Sequence, residues 1–291
     1  METKIIFTHK DNQGNLRGQS EKAFIEKDKL RLKEKKETSM PVYIGEPDVQ
    51  IDDVHINLSK NSASNILIAC ESDNLGVRIM SSSIISIIGQ LPDSKIYSFN
   101  FLSSNTELTN YVNEFNSIAN DNIIEVNVRE VQALLQSIKE EIENRILNGK
   151  TNNQNIFVSI ISFQTAYSFR KQDYFENSGE GKLLEYILKE GSFVGVFCLL
   201  MVDSIQSFTK NLSNSLLDEF SFRIVGQIDS QSSASILFGP NYLGSRDANE
   251  LGENRALFFD CKKNKLIKFI PYELPNLSWV GQLFRNNTPL S

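Results

Sequence analysis

Three short, continuous apolar runs constrain the fold of this chain more than any other feature of its sequence. They are NILIAC at Asn65–Cys70, NIFVSIISF at Asn155–Phe163 and FVGVFCLLMV at Phe193–Val202. Runs of this length and composition are typical of strands that are buried on both faces. Segments with helical periodicity lie between them, and Arg129–Asn148 is the clearest of these. Strands that alternate with helices need crossover connections, so the sequence predicts an α/β fold with a mostly parallel central sheet flanked by helices.

The later part of the chain continues this alternation. A helical pattern at Leu212–Phe220 precedes strand-like runs at Phe222–Ile228, Ala256–Phe259 and Leu266–Ile270. Ligands of a mostly parallel sheet usually bind at the carboxyl ends of its strands. The loops that follow the buried strands are therefore where a functional site is expected.

The composition is that of an ordinary globular protein with an acidic balance. Of the 291 residues, 40% are hydrophobic and 23% are charged, and the formal net charge is −6. A negative chain has no overall field that attracts nucleic acid, so we expect DNA contact only through a larger assembly. No apolar run approaches the roughly 20 residues of a membrane span, and the first residues lack a signal-peptide pattern. These features predict a cytoplasmic protein without membrane insertion.

The first 38 residues differ in character from the rest of the chain. Residues 21–37 read EKAFIEKDKLRLKEKKE, in which charges of both signs are densely mixed. We interpret residues 1–38 as a charged arm or linker and residues 39–291 as the globular domain. A basic arm that binds DNA is the alternative, and it is disfavoured because the acidic side chains nearly cancel the basic ones.

Cysteine and histidine give no sign of metal or nucleophilic chemistry. Cys70, Cys198 and Cys261 lie far apart, in or directly after apolar runs, so buried thiols are expected instead of a disulfide framework. His9 and His55 have no Cys or His neighbour at the spacing of metal ligands. No metal site is predicted.

A strand followed by a short loop and a helix is the setting of a phosphate-binding P-loop, whose motif is G-x-x-x-x-G-K-[ST]. Here the strand is Ile66–Ala69, and the sequence continues CESDNLGVRIM. Placed directly after the strand, the motif covers in order Cys70, Glu71, Ser72, Asp73, Asn74, Leu75, Gly76 and Val77.

The residues at these positions do not suit nucleotide hydrolysis. In a P-loop the lysine neutralises the β- and γ-phosphates and the Ser/Thr hydroxyl holds Mg²⁺, but Gly76 and Val77 stand at those two positions. The carboxylates of Glu71 and Asp73 would repel phosphate. We therefore expect no cofactor, with ATP and Mg²⁺ bound only if the degenerate loop keeps some affinity.

A second part of the hydrolytic apparatus is also missing. The strand that normally ends in acidic residues for Mg²⁺ and water corresponds to Asn155–Phe163. No Asp or Glu occurs from Asn155 through Gln172, and Phe163 and Gln164 stand at the end of the strand. Two independent losses indicate a domain that does not hydrolyse nucleotide.

From about Met40 to Trp279 the order and spacing of these segments resemble the FtsK/SpoIIIE/HerA-type motor domain. The resemblance is to the degenerate versions that form the last ATPase domain of large multi-domain proteins. It is carried by the segments PVYIGEP, NILIACESDNLGVRIMSSSIISIIG, LLEYILKEGSFVGVFCLLMVDSIQSF, EFSFRIVGQIDSQSSASILFG and NRALFFDCKKNKLIKFIPYELP. The resemblance implies a RecA-like P-loop NTPase fold and a place in a machine that moves a polymer.

The family's functional residues carry over poorly. The resemblance places Phe163–Gln164 at the acidic pair, Val202–Asp203 at the Thr-Gln pair of the sensor strand, and Ser232–Ser233 at an Asp-Ser pair. Arg223 and Arg255 are candidates for an inter-subunit arginine, and the alternative for both is an ordinary surface or structural arginine.

Four hypotheses for function follow from the sequence. The first is a non-hydrolysing ATPase-like module that packs against active ATPase domains of the same or a partner chain, in a homo-oligomer or ring. The second is a weak ATP-binding or ATPase domain of a DNA translocase. The third is a degenerate domain of a type VII-like secretion motor that binds export substrate. The fourth is an α/β protein unrelated to these motors.

Overall fold

The structure is a computed structural model of the 291-residue chain. It describes residues 39–47, 54–104, 106–119, 121–149, 154–171, 178–228, 231–239, 247–252 and 254–287. The predicted charged arm or linker at residues 1–38 lies outside the described residues.

One sheet of ten strands organises the described part of the chain. Its strands are β1 (Ser39–Pro47), β2 (Val54–Ser59), β3 (Ile66–Ala69), β4 (Lys95–Asn100), β5 (Ile123–Glu125), β6 (Ile156–Ile161), β7 (Val196–Val202), β8 (Phe222–Val225), β9 (Ala256–Asp260) and β10 (Lys265–Pro271). Their order across the sheet is β2-β1-β10-β9-β8-β3-β7-β6-β4-β5.

The sheet has a parallel half and an antiparallel half. Strands β8, β3, β7, β6, β4 and β5 are all parallel to their neighbours in this group. Strands β9, β10, β1 and β2 are added to it by antiparallel pairing, starting from β8. The predicted central parallel sheet is confirmed, and β3, which leads into the candidate loop, lies at its centre between β7 and β8.

Helices cover both faces of this sheet. They are α1 (Asp73–Gln90), α2 (Glu107–Ile118), α3 (Val131–Asn148), α4 (Gly179–Glu190), α5 (Ile205–Asn211), α6 (Gln231–Phe238) and α7 (Leu277–Asn287). Residues of α1, α2 and α7 belong to the apolar cluster on one face, and residues of α3 to α6 belong to the cluster on the other. Strand β3 serves both clusters, since Ile66 and Ile68 belong to one and Leu67 and Ala69 to the other. This alternation explains why its sequence is continuously apolar.

The helical segment predicted at Leu212–Phe220 is present, but as a 3₁₀ helix and not an α-helix. The α-helix before it is α5, which ends at Asn211, and Asn214–Glu219 form the 3₁₀ helix. Helix α5 begins where Ser204 caps it, with the Ser204 Oγ accepting a hydrogen bond from the Ser207 N–H at 3.2 Å. The sequence signal for this start is a single serine, which is weaker than an apolar stripe.

Two negative findings apply to the residues described. No helix among them combines the length and the apolar character that crossing a membrane requires. No group of three or more His, Cys, Asp or Glu among them could hold a metal ion.

Candidate functional site

The connection from β3 to α1 is only three residues long. Strand β3 ends at Ala69, and α1 already begins at Asp73. The Ser72 Oγ caps the helix by accepting a hydrogen bond from the Leu75 N–H at 3.3 Å, and the Ser72 carbonyl accepts one from the Gly76 N–H at 3.0 Å. Two of the backbone N–H groups in the loop segment, those of Leu75 and Gly76, therefore bond to Ser72 and not outward.

The two positions that the motif reserves for Lys and Ser/Thr are inside the protein. Gly76 and Val77 are both buried. A Cβ at Gly76 would stand 2.5 Å from the Met201 Cε, because α1 lies close against β7. Gly226, directly after β8, approaches the loop from the other side, and a Cβ there would stand 2.7 Å from the Cys70 Cβ. The loop is thus packed between the two neighbouring strands.

Acidic and amide side chains meet at the carboxyl ends of β3, β7 and β6. Asp73 opens α1, Asp203 follows β7, and Gln164 lies just beyond the end of β6. The Asp203 N–H donates to the Gln164 Oε1 at 3.3 Å, and the Gln164 Nε2 donates to the Ser162 Oγ at 2.8 Å. The Gln164 side chain also lies close enough to Asp73 to lower the pKa of its carboxyl. The structure therefore brings the candidate loop and Gln164 together.

Burial raises the pKa of Asp73, the nearby Asp203 carboxylate raises it further, and the Gln164 side chain acts in the opposite direction. The Asp73 Oδ1 is buried and has no hydrogen-bond partner among the described residues. Two carboxylates so placed disfavour the binding of a further anion, such as a phosphate.

The sequence places Asp203 only at the Thr-Gln pair of the sensor strand and does not predict that it lies near Asp73. The signal that could have found it is its position directly after a buried parallel strand. Ala69 pairs with Val202, so the residues that follow each strand lie at one edge of the sheet. Phe163, in contrast, is completely buried and packs on Phe169 with 5.2 Å between ring centroids. It belongs to the core beneath the site.

A cleft of about 440 Å³ opens beside the loop. It is lined by Cys70, Glu71, Ser72, Leu75, Gln227, Gly252, Asn254 and Arg255. Glu71, Ser72 and Asn74 are exposed, so the loop presents polar groups to solvent. Burial, and secondarily Asp73, raises the pKa of the Cys70 thiol to about 12, which keeps it protonated. Cys70 is accordingly unsuited to act as a nucleophile.

The two candidate inter-subunit arginines occupy different environments. Arg223 is 7% exposed, and its guanidinium donates to the carbonyls of Leu217, Phe220 and Leu237 at 2.8, 3.2 and 2.7 Å. Its side chain is therefore engaged within its own domain. Arg255 is partly exposed and lines the cleft beside its own loop.

Other predicted residues are also accounted for. Cys70 and Cys198 are buried free thiols, as predicted, and Cys261 is partly buried and also free. Ser233 is buried and its Oγ accepts a hydrogen bond from the Gln206 Nε2 at 2.6 Å, which joins α5 to α6. The side chain of Ser232 lies outside the described residues.

Comparison with known proteins relates this geometry to ATPase domains of known structure. No protein-family model matches the sequence, and no curated protein matches it. Solved structures do match. The pCW3 conjugation coupling protein TcpA, solved as a monomer with ATPγS, has a TM-score of 0.60 and 14% identity over 86% of this chain and 71% of that chain.

Two further solved structures have a similar fold. The cytoplasmic domain of EssC matches with a TM-score of 0.56 and 14% identity, over 82% of this chain and 44% of that chain. The cytoplasmic domain of the Thermomonospora curvata type VII secretion ATPase EccC matches with a TM-score of 0.58 and 13% identity, over 86% of this chain and 31% of that chain. The chain thus spans less than half the length of either protein. At these identities the likeness establishes the fold, which is the RecA-like fold of FtsK/SpoIIIE-type ATPase domains, as the resemblance predicted.

Proposed function

We propose that this chain is a non-hydrolysing ATPase-like module of an FtsK/HerA-type DNA translocase, which acts by packing against active ATPase domains. The observation that supports this most is the three-residue connection between Ala69 and Asp73. A phosphate needs several free N–H groups and a cation. Here the N–H groups of Leu75 and Gly76 are bonded to Ser72, and no Lys or Arg occurs from Cys70 to Val77. The module would assist assembly or regulation of the active domains in the cytoplasm, and would reach DNA only through the assembly.

The charge at the site supports the same proposal. Glu71, Asp73 and Asp203 lie on the loop and at the end of the adjacent strand. A carboxylate about 5 Å from a phosphate costs roughly 3 kcal/mol at an effective dielectric of about 20. Such a cost weakens nucleotide binding about a hundredfold.

Isothermal titration calorimetry of the full chain with ATP and Mg²⁺ tests this function. We expect no binding heat at ATP concentrations up to about 1 mM, and no phosphate release in a steady-state assay. TcpA, which was solved with ATPγS, is a positive control for the titration. Micromolar binding by this chain would favour the second hypothesis, a weak ATP-binding or ATPase domain.

A degenerate domain of a type VII-like secretion motor is the second candidate function. The likeness of fold to EssC and EccC favours it. Fluorescence anisotropy with a labelled peptide of a type VII-secreted protein separates the two candidates, because only the secretion motor should bind it; a labelled DNA duplex is the control for non-specific binding. Saturable binding of the peptide but not of DNA would support the secretion motor.

A further inference from the structure

Arg78, a buried arginine in α1, donates hydrogen bonds to Asn254 and to the segment of residues 271–273. Arg78 is 2% exposed, and its Nε donates to the Tyr272 carbonyl at 2.9 Å. The Nη2 donates to the Pro271 carbonyl at 2.8 Å and to the Glu273 Oε1 at 3.2 Å. The Nη1 donates to the Asn254 Oδ1 at 2.8 Å. All three nitrogens of one guanidinium therefore bind to segments far from α1 in sequence.

These partners include one wall of the cleft. Asn254 and Arg255 line the cleft, and so do Cys70 and Leu75; we call the part lined by Asn254 and Arg255 the Asn254 wall. Leu75 and Arg78 are three residues apart on α1, so they lie on adjacent turns of one helix face. The contact between Arg78 and Asn254 thus joins the helix that carries Leu75 to the Asn254 wall.

The backbone of this wall is held in an unusual conformation. Asn254 has a φ of +60°, in the left-handed region that non-glycine residues visit rarely. Asparagine tolerates this region better than most residues, but the surrounding structure must still hold it there. The hydrogen bond from the Arg78 Nη1 supplies such a constraint directly at the Asn254 side chain.

The electrostatics are suited to a permanent contact. Burial lowers the pKa of Arg78 and the Glu273 carboxylate raises it, but a guanidinium stays charged throughout the range in which proteins fold. The planar fork of arginine can serve four acceptors in fixed directions, which a lysine ammonium cannot do. Removing one partner would leave a buried charge with an unmet hydrogen bond.

We propose that Arg78 is a positioning residue that latches the Asn254 wall to α1 and to the end of β10, and so holds the cleft at one preset width. The proposal rests on the proposed function in that a partner meets the cleft as a fixed surface, without a nucleotide-driven change of shape. The segment that follows β10 is held at a second point, since the Tyr111 hydroxyl donates to the Pro275 carbonyl at 2.9 Å. This segment continues into α7.

The three native cysteines provide reporters for a test. Cys70 lies in the cleft, Cys198 is completely buried in β7, and the Cys261 Sγ lies 3.7 Å from the Phe220 carbonyl. The rate at which each thiol of the full chain reacts with N-ethylmaleimide, measured by peptide mass spectrometry, reports opening at three separate places.

Two variants break the latch and one serves as a control. Arg78→Met removes the whole guanidinium, whereas Asn254→Gly removes only the acceptor and still allows a positive φ. We expect both to raise the labelling rate of Cys70 about tenfold, which corresponds to about 1.4 kcal/mol, while the rate of Cys198 stays unchanged. Arg223→Met is the matched control, because it removes another buried arginine. It should raise the labelling rate of Cys261 and leave that of Cys70 unchanged.

Two results would overturn the latch. One is an unchanged Cys70 rate in Asn254→Gly, which also decides the matter if Arg78→Met does not fold. The other is an equal rise at Cys70 and Cys198, which would make Arg78 a general stabiliser of the fold. These outcomes are independent of calorimetry with ATP, since nucleotide binding by the unaltered chain would contradict the proposed function without changing the labelling rates.

Discussion

Gly76 lies directly against Met201, so that a Cβ at position 76 would stand 2.5 Å from the Met201 Cε and 2.7 Å from its Sδ. The helix that follows the loop is thereby held close to the strand beside it. In a P-loop this position carries the lysine that reaches the phosphates. Position 76, where the motif has its lysine, is therefore in close contact with Met201, and a side chain fits there only if Met201 moves.

Restoring the two missing motif residues should therefore fail to restore nucleotide binding. We expect Gly76→Lys combined with Val77→Thr to lower the free energy of unfolding by about 1 to 3 kcal/mol, because the lysine overfills a buried position and the threonine places a hydroxyl in the apolar core. The acidic side chains and the Ser72 cap would remain. Thermal unfolding with and without ATP and Mg²⁺ measures both effects. A rise in the melting temperature on adding ATP to the double variant would contradict this expectation.

The raised pKa of Asp73 predicts a specific dependence of stability on pH. A carboxyl whose pKa is higher in the folded than in the unfolded state binds protons more tightly when folded. Its contribution is thus most favourable below the unfolded value of about 3.8, and is lost as the pH rises through the folded pKa. Asp73→Asn removes this loss.

Urea unfolding at about pH 4 and at pH 8 measures this effect, because the contribution is present near the unfolded pKa and is lost above the folded one. We expect the urea midpoint at pH 8, relative to the midpoint at the lower pH, to be higher in Asp73→Asn than in the unaltered chain. Asp93→Asn, at an exposed position, is the control and should leave the difference unchanged. Identical differences in the unaltered chain and in Asp73→Asn would show that Asp73 makes no such contribution.

Asn65 is expected to be among the most sensitive polar positions in the core. It is completely buried, its Nδ2 donates to the carbonyls of Leu188 and Glu219 at 3.1 and 2.9 Å, and its Oδ1 accepts from the Cys198 N–H at 2.9 Å. Asn65→Ala leaves three backbone groups without these partners, which predicts a loss of about 3 to 5 kcal/mol. Asn61→Ala, at an exposed asparagine, should change stability by less than about 0.5 kcal/mol. Equal losses in the two variants, measured by urea unfolding, would refute this assignment.

The order of the main elements could be predicted because burial on both faces leaves a strong trace in sequence. Each parallel strand near the loop is an unbroken apolar run, and strand–helix alternation fixes crossover topology. The candidate loop was located in the same way, from its place after Ile66–Ala69. These inferences use local patterns, which do not depend on distant contacts.

The contacts that shape the site could not be predicted in this way. In the sequence Arg78 is one residue inside a helical pattern, but its hydrogen-bond partners lie 176 to 195 positions away along the chain. Asp203 joins Asp73 because β7 and β3 are neighbours, and the strand order is not written in either segment. Helix α7, which packs against α2, was not predicted, although its own sequence is amphipathic.

Ser162, directly after β6, has a left-handed backbone conformation. The free-energy cost of that conformation can be measured by comparing two substitutions. Ser162 has a φ of +61° and is buried, and its Oγ accepts a hydrogen bond from Gln164. Ser162→Ala and Ser162→Gly both lose that hydrogen bond, but only glycine adopts the left-handed region without strain. We therefore expect Ser162→Gly to be more stable than Ser162→Ala by about 1 kcal/mol. Urea unfolding of the pair measures the difference, and equal midpoints would mean that this residue does not hold a left-handed conformation in solution.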